Sequence, residues 1–203
     1  MKWKCYKAYI YVKETAHKKK KINILKKKTS NLTKICYNAG GRRSHWLRKE
    51  CQGVNTVFDV ANWFLNREPM THKKLQKLCY YAQAWSLALK DKPIMNTSFE
   101  AWVHGPVSRE LYNHYSGSGM LDLKPEAFPK KFTTSELEIL ESVWETYGEY
   151  TGNTLEVLTH NEPPWRNARR NCGPTDRCSN TIGWDDMKSY YRSIYIGKGE
   201  AEA

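Results

Sequence analysis

His104, His160 and Glu162 are the residues of this chain whose types could do acid–base chemistry or bind a metal ion. Imidazole titrates near neutral pH and a carboxylate can orient it, so such a trio could serve a hydrolase. An enzyme would need the three side chains to converge in a cleft with an orienting partner. No HExxH motif, paired CxxC, glycine-rich phosphate loop or nucleophile elbow accompanies them.

These absences favour simpler roles for the same residues. We expect His104 to end a strand, and His160 to lie at the C-terminus of a helix, where the helix dipole favours a cation. The sequence therefore predicts no enzymatic activity, no metal site and no cofactor. A hydrolase that uses His104, His160 and Glu162 remains the alternative.

The cysteines do not form a metal-binding pattern either. Cys79 lies on an apolar helix face, where a small buried hydrophobic residue is the usual role. Five residues separate Cys172 from Cys178, whereas a zinc knuckle has two. With no secretory signal and no apolar run near the roughly 18–20 residues of a membrane span, we expect a cytoplasmic protein without a membrane partner. The other three cysteines are at positions 5, 36 and 51.

The net charge of +12 comes from the first quarter of the chain. Residues 1–53 contain 16 basic and two acidic residues, whereas residues 54–203 contain 17 basic and 19 acidic ones. Repelling lysines and few apolar groups predict that residues 1–53 are a disordered extension, or else an over-extended gene start. Nucleic acid is the partner that such a basic extension could bind. We expect residues 54–203 to fold and function without it.

Apolar residues recur at helical spacing along most of residues 54–203. One segment, from Thr71 to about residue 90, is apolar nearly all round, which predicts a buried central helix. Lys73, Lys74 and Lys77 are expected on its polar side, as a solvated face or a partner contact. The other predicted helices cover about residues 57–68, 106–115, 133–148, 153–160, 163–170 and 185–194, with Asn55 or Thr56 capping the first, a capping box at 133–136 and Pro106 in the first turn of the second.

The period changes to two between residues 99 and 103, which predicts a short strand. Ile94 and Met95 are its predicted hairpin partner, and Gly117 lies in a loop that extends to about residue 131. The sequence therefore predicts a mainly α, compact helical domain with a small β-hairpin element. Trp165 is expected to anchor the last helices to the core.

Three patches of this domain, in the same order, resemble the SocA-like antitoxin family, also called the Panacea domain, a phage-associated domain of unknown function. The resemblance spans about residues 56–196, and each patch alone would be a weak match. Pro163 departs from the pattern, because the family often has a small or polar residue there. The patches are residues 74–83, residues 101–112 and residues 159–169, and their motif residues are Gln83, Trp102, His104, Gly105, Pro106, Arg109, Tyr112, His160, Glu162, Pro164, Trp165 and Arg169.

The resemblance implies an antitoxin, encoded on phages or mobile elements, that neutralises a cognate protein toxin by direct binding. One family member delivers its toxin to a cytoplasmic protease, so a protease is a second implied partner. The motif residues are then candidates for partner binding, with the contact on the exposed side of residues 104–115 and the neighbouring residues 166–170. Because the same architecture occurs in proteins with no known toxin, nucleic-acid binding through residues 1–53 stays open as another role.

Overall fold

The computed structural model describes residues 55–122 and 132–196. The expectations for residues 1–53, including cysteines 5, 36 and 51, and for the end of the loop near residue 131 lie outside these residues. Within them the chain forms seven helices and four short strands. These are α1 Val57–Leu65, β1 Met70–Thr71, α2 His72–Lys90, β2 Glu100–Trp102, β3 Gly105–Val107, α3 Arg109–Tyr115, β4 Met120–Leu121, α4 Thr134–Tyr147, α5 Gly152–His160, α6 Pro163–Ala168 and α7 Trp184–Ile196.

Helix α2 is the centre of the fold, as its apolar surface predicts. Thr71 caps its N-terminus by accepting a hydrogen bond from the Lys74 N–H, and Asp91 ends it in the left-handed conformation. Helices α1, α4, α5 and α7 all pack against it. Stacked rings of Tyr81 and Tyr147, 3.9 Å apart, fix α4 on this helix. The mainly α fold with a small hairpin is therefore confirmed.

Two helices begin at capping boxes. The sequence predicts the box before α4, whereas before α1 it predicts only that Asn55 or Thr56 is the N-cap. Thr56 accepts from the Asp59 N–H while the Asp59 carboxylate accepts from the Thr56 N–H, and Thr133 and Glu136 form the same reciprocal pair before α4. Each box satisfies donors that the first helical turn leaves open, and this stabilises the helix start. No helix among residues 55–122 and 132–196 is long and apolar enough to cross a membrane.

The hairpin differs from the one predicted. Strand β2 pairs antiparallel with β3, so that Trp102 faces Gly105, whereas Met95 makes only an isolated bridge to Asn55. The prediction that Ile94 and Met95 supply the hairpin partner was therefore wrong. Gly105 has a φ of +91°, which lets the chain reverse tightly after β2.

The helix predicted to start at Pro106 also begins later. Pro106 lies in β3, and Ser108 caps α3 by accepting from the Leu111 N–H. The cause is a long-range contact, because the Gln76 side chain accepts from the Ser108 N–H at 2.8 Å and donates to its carbonyl at 3.2 Å. These bonds hold the chain extended until residue 108.

The segment that follows α6 closes the hairpin layer from the other side. Ala101 donates to the Asn180 carbonyl and Ile182 donates to the Phe99 carbonyl, so residues 180–182 run along β2. Cys172 and Cys178 form a disulfide with their Cα atoms 6.2 Å apart. This bond was not predicted, because the spacing of the two cysteines was compared only with that of metal ligands.

Candidate functional site

An open groove of about 760 Å³ lies between the hairpin turn, α3 and the disulfide loop. Its first wall is formed by Trp102, His104, Arg109 and Tyr112, and the disulfide loop 172–178, together with Ser179, supplies the opposite wall. All four residues of the first wall belong to the second motif patch. The structure thus brings these four motif residues together in one surface groove.

Glu100 organises the first wall. Its carboxylate accepts two hydrogen bonds from Arg109, at 2.9 and 2.7 Å, and one from the Trp102 indole at 2.7 Å. Burial acts to raise the pKa of Glu100, but the bonds from Arg109 and Trp102 outweigh it and lower that pKa. The Tyr112 ring lies 4.7 Å from the Trp102 ring, centroid to centroid. Arg109 and the two rings therefore form one ordered surface whose guanidinium charge is already neutralised.

Arg169 is buried behind the second wall of the groove and holds that wall in place. Only 5% of it is exposed, and its guanidinium donates to the carbonyls of Ala101 at 2.8 Å, Gly173 at 2.7 Å and Asp176 at 3.0 Å. The expectation of an exposed arginine at 169 was wrong, although Arg166 and Arg170 beside it are exposed. Arg169 ties the disulfide loop to strand β2 and so sets the width of the groove.

The predicted acid–base trio does not converge. The side chain of His104 is 72% exposed, with Nδ1 3.0 Å from the Glu156 carboxylate. His160 stacks on Trp165 at 4.1 Å, whereas Glu162 is buried and accepts from the Tyr191 hydroxyl at 2.6 Å. The three side chains occupy three different environments, and this geometry gives the hydrolase alternative no support.

His160 ends α5, as predicted, but its role differs. Burial lowers the pKa of the imidazole, so the ring is uncharged at neutral pH and gains little from the helix dipole. Stacking on Trp165 and a hydrogen bond with the Val103 backbone hold the ring. Trp165 in turn donates to the Trp102 carbonyl at 3.0 Å, which ties α6 to the hairpin. Its partly buried ring packs against the core, as predicted.

Several other motif residues stabilise the fold. Gln83 is buried, accepts from the Ile94 and Met95 N–H groups and donates to the Met95 carbonyl. Pro164 lies buried in the first turn of α6. Both side chains therefore serve the packing of the fold.

Lys77 corrects the expectation of a lysine-rich solvated face. It is 1% exposed, and its ammonium group donates to the Pro106 carbonyl at 3.0 Å. Lys74 is also buried, whereas Lys73 pairs with Glu156 nearer the surface. The available signal was the apolar character of α2 on every side, because such a helix has no polar side for a lysine to occupy.

The buried amine of Lys77 predicts that the free energy of unfolding depends on pH. Burial, opposed by the Glu156 carboxylate, lowers the pKa of Lys77 from 10.5 to about 7. In the unfolded chain the ordinary pKa returns, so above about pH 7 unfolding takes up a proton and stability rises with pH. Below about pH 7 Lys77 is charged in both states, and its contribution no longer changes.

We expect the free energy of unfolding to rise by up to about 2 kcal/mol between about pH 7 and 8.5. Above that range Cys79 acts in the opposite direction, because burial raises the pKa of its thiol. Urea denaturation at each pH measures the effect, with Lys77→Met as the variant that should show a flat profile. The same slope in Lys77→Met would assign the effect to another group.

Comparison with known proteins supports the motif resemblance. Residues 75–166 match the family described as "Antitoxin SocA-like, Panacea domain". The protein "Antitoxin SocA" of Caulobacter vibrioides (strain NA1000 / CB15N) is 31% identical over 125 residues, which cover 52% of this chain and 66% of that relative. No solved structure matches this chain. Residues 75–166 of this chain therefore form a domain of the antitoxin SocA-like, Panacea domain family.

Proposed function

We propose that this protein is an antitoxin that neutralises a cognate protein toxin by direct binding at the groove. The observation that carries the proposal is the placement of Trp102, His104, Arg109 and Tyr112, four motif residues that line one open surface. Family membership supports the antitoxin role in general. The groove supplies the place where binding would occur.

The groove has the chemistry of a protein-binding site. Tryptophan, tyrosine and arginine carry much of the binding energy in protein interfaces, and Trp102, Tyr112 and Arg109 lie here in contact. Because Glu100 already orients Trp102 and Arg109, little side-chain freedom is lost on binding. This preorganisation favours tight binding of a partner.

We assign the role to residues 54–203, in the cytoplasm where the toxin would act. In a narrower form of the proposal, the bound toxin is handed to a cytoplasmic protease. The two forms differ in one observable result. Direct inhibition leaves the toxin level unchanged, whereas delivery to a protease lowers it, and immunoblotting of the toxin in co-expressing cells would separate them.

Co-expression with the product of the adjacent gene tests the proposal. The wild-type chain should rescue growth, and Tyr112→Ala should lower survival by about tenfold or more, as expected for an interface anchor. Arg109→Ala should act in the same direction. Trp184→Ala is the matched control, because Trp184 is 40% exposed and Tyr112 37%, and Trp184 lies outside the groove.

Tyr112→Ala and Trp184→Ala should have melting temperatures near that of the wild type, since each removes an exposed ring. Equal loss of rescue from Trp184→Ala and Tyr112→Ala would contradict binding at the groove. So would full rescue by a Tyr112→Ala protein that is present at the wild-type level.

A further inference from the structure

We propose that the groove selects a partner segment carrying one carboxylate beside an aromatic or large apolar side chain, and that Arg177 binds the carboxylate. This inference rests on the proposed function and adds the chemistry of the partner. It comes from the distribution of charge in the groove, where two arginines and one histidine differ in what already binds them.

Two of these three side chains already have a carboxylate partner. Arg109 is held by both oxygens of Glu100, and His104 lies 3.0 Å from the Glu156 carboxylate. Arg177 is exposed, lines the groove and has no carboxylate partner among residues 55–122 and 132–196. The groove therefore presents a single uncompensated guanidinium, which matches one carboxylate in charge and in bidentate geometry.

The backbone around Arg177 is fixed although its side chain is exposed. Residue 177 lies between Cys172 and Cys178, and the Arg169 guanidinium holds the Gly173 and Asp176 carbonyls of the same loop. The Asp176 carboxylate accepts from the Gly173 N–H at 2.8 Å, which closes the turn. A fixed backbone presents the guanidinium in a defined position before any partner arrives.

The aromatic rings of the opposite wall favour an apolar side chain next to the carboxylate in the partner segment. Tyr112 is 37% exposed and Trp102 is half-buried, with the two rings 4.7 Å apart at an angle of 60°. An aromatic or large apolar side chain could cover both rings while the carboxylate reaches across to Arg177. A purely acidic segment would leave these rings uncovered.

The charge count favours a protein segment over nucleic acid. A nucleic-acid site needs several phosphate contacts to reach useful affinity, and this groove has one free guanidinium. The surrounding domain adds no excess of positive charge, because residues 54–203 contain 17 basic and 19 acidic residues.

Selection of a random dodecapeptide phage library on the immobilised full chain tests the inference. Enriched peptides should carry Asp or Glu close to an aromatic or large apolar residue. Synthetic copies of these peptides should then bind Arg177→Glu about tenfold or more weakly than the wild type. Arg170→Glu is the control, because Arg170 is an exposed arginine outside the groove. Arg177→Lys should keep part of the affinity.

Enrichment without acidic residues, or equal losses in Arg177→Glu and Arg170→Glu, would overturn the inference. A labelled single-stranded oligonucleotide that competes for Arg177 more strongly than the peptides would also overturn it. The rescue assay separates the two proposals. If Tyr112→Ala loses rescue and Arg177→Glu keeps it, the carboxylate contact is wrong and the antitoxin role still holds. If the chain binds acidic peptides but never rescues growth, the antitoxin role alone is wrong.

Discussion

Gly105→Val is expected to destabilise the domain strongly, because it combines backbone strain with a steric clash. The φ of +91° at this position alone costs a side chain roughly 1–3 kcal/mol. A Cβ atom there would lie 2.7 Å from Lys77 Cε and 2.8 Å from Thr159 Oγ1. Lys77 cannot move aside freely, since it is buried and bonded to the Pro106 carbonyl. Urea denaturation of the purified variant measures the loss.

His104→Ala, one residue earlier, is the control for that experiment. The His104 side chain is exposed, and its pairing with Glu156 is of the surface kind that contributes about 1 kcal/mol or less. We expect its unfolding midpoint to stay near that of the wild type. Small and equal shifts in His104→Ala and Gly105→Val would show that the turn does not depend on the glycine.

Arg169→Ala is expected to have the second large effect. The variant removes charge-assisted hydrogen bonds to the Ala101 carbonyl and to carbonyls of the disulfide loop, and it leaves the Ala101 carbonyl buried without its donor. A loss of about 3 kcal/mol follows from the usual cost of such bonds. Thermal melting and denaturant titration measure it.

Arg170→Ala provides the comparison, because the neighbouring side chain is exposed and its removal should change the melting temperature little. Arg169→Ala should also weaken binding at the groove, since it releases the loop that forms one wall. Equal melting temperatures of Arg169→Ala and Arg170→Ala would show that the buried guanidinium does not hold the loop to the hairpin.

Local signals were sufficient for most helices. Thr56 and Thr133 start helices through side-chain bonds to residues three positions later, and a sequence shows such pairs directly. The central helix was equally accessible, because its apolar residues surround the whole axis. These features depend on neighbours within one or two turns.

The hairpin was missed because its determinants are distant in sequence. Gly105 and Pro106 fit both a helix start and a strand after a tight turn, and the Gln76 side chain settles the choice by bonding to Ser108, 32 residues away. No local pattern reveals that contact.

The burial of Lys77 and Arg169 was hidden by residue type. Both are cations, which usually lie on the surface, yet each serves carbonyl groups inside the fold. Half of the groove was hidden for a related reason. The disulfide loop has no periodicity. Long-range contacts place Arg177 opposite Tyr112, from Arg169 to the loop carbonyls and from residues 180–182 to β2.

Neutralisation by direct contact can be measured by calorimetric titration of the purified chain with the purified product of the adjacent gene. We expect saturable binding, weakened about tenfold or more by Tyr112→Ala and unchanged by Trp184→Ala. The order of affinities should follow the order of rescue in cells. Rescue by a chain that shows no binding to the toxin would contradict neutralisation by direct contact.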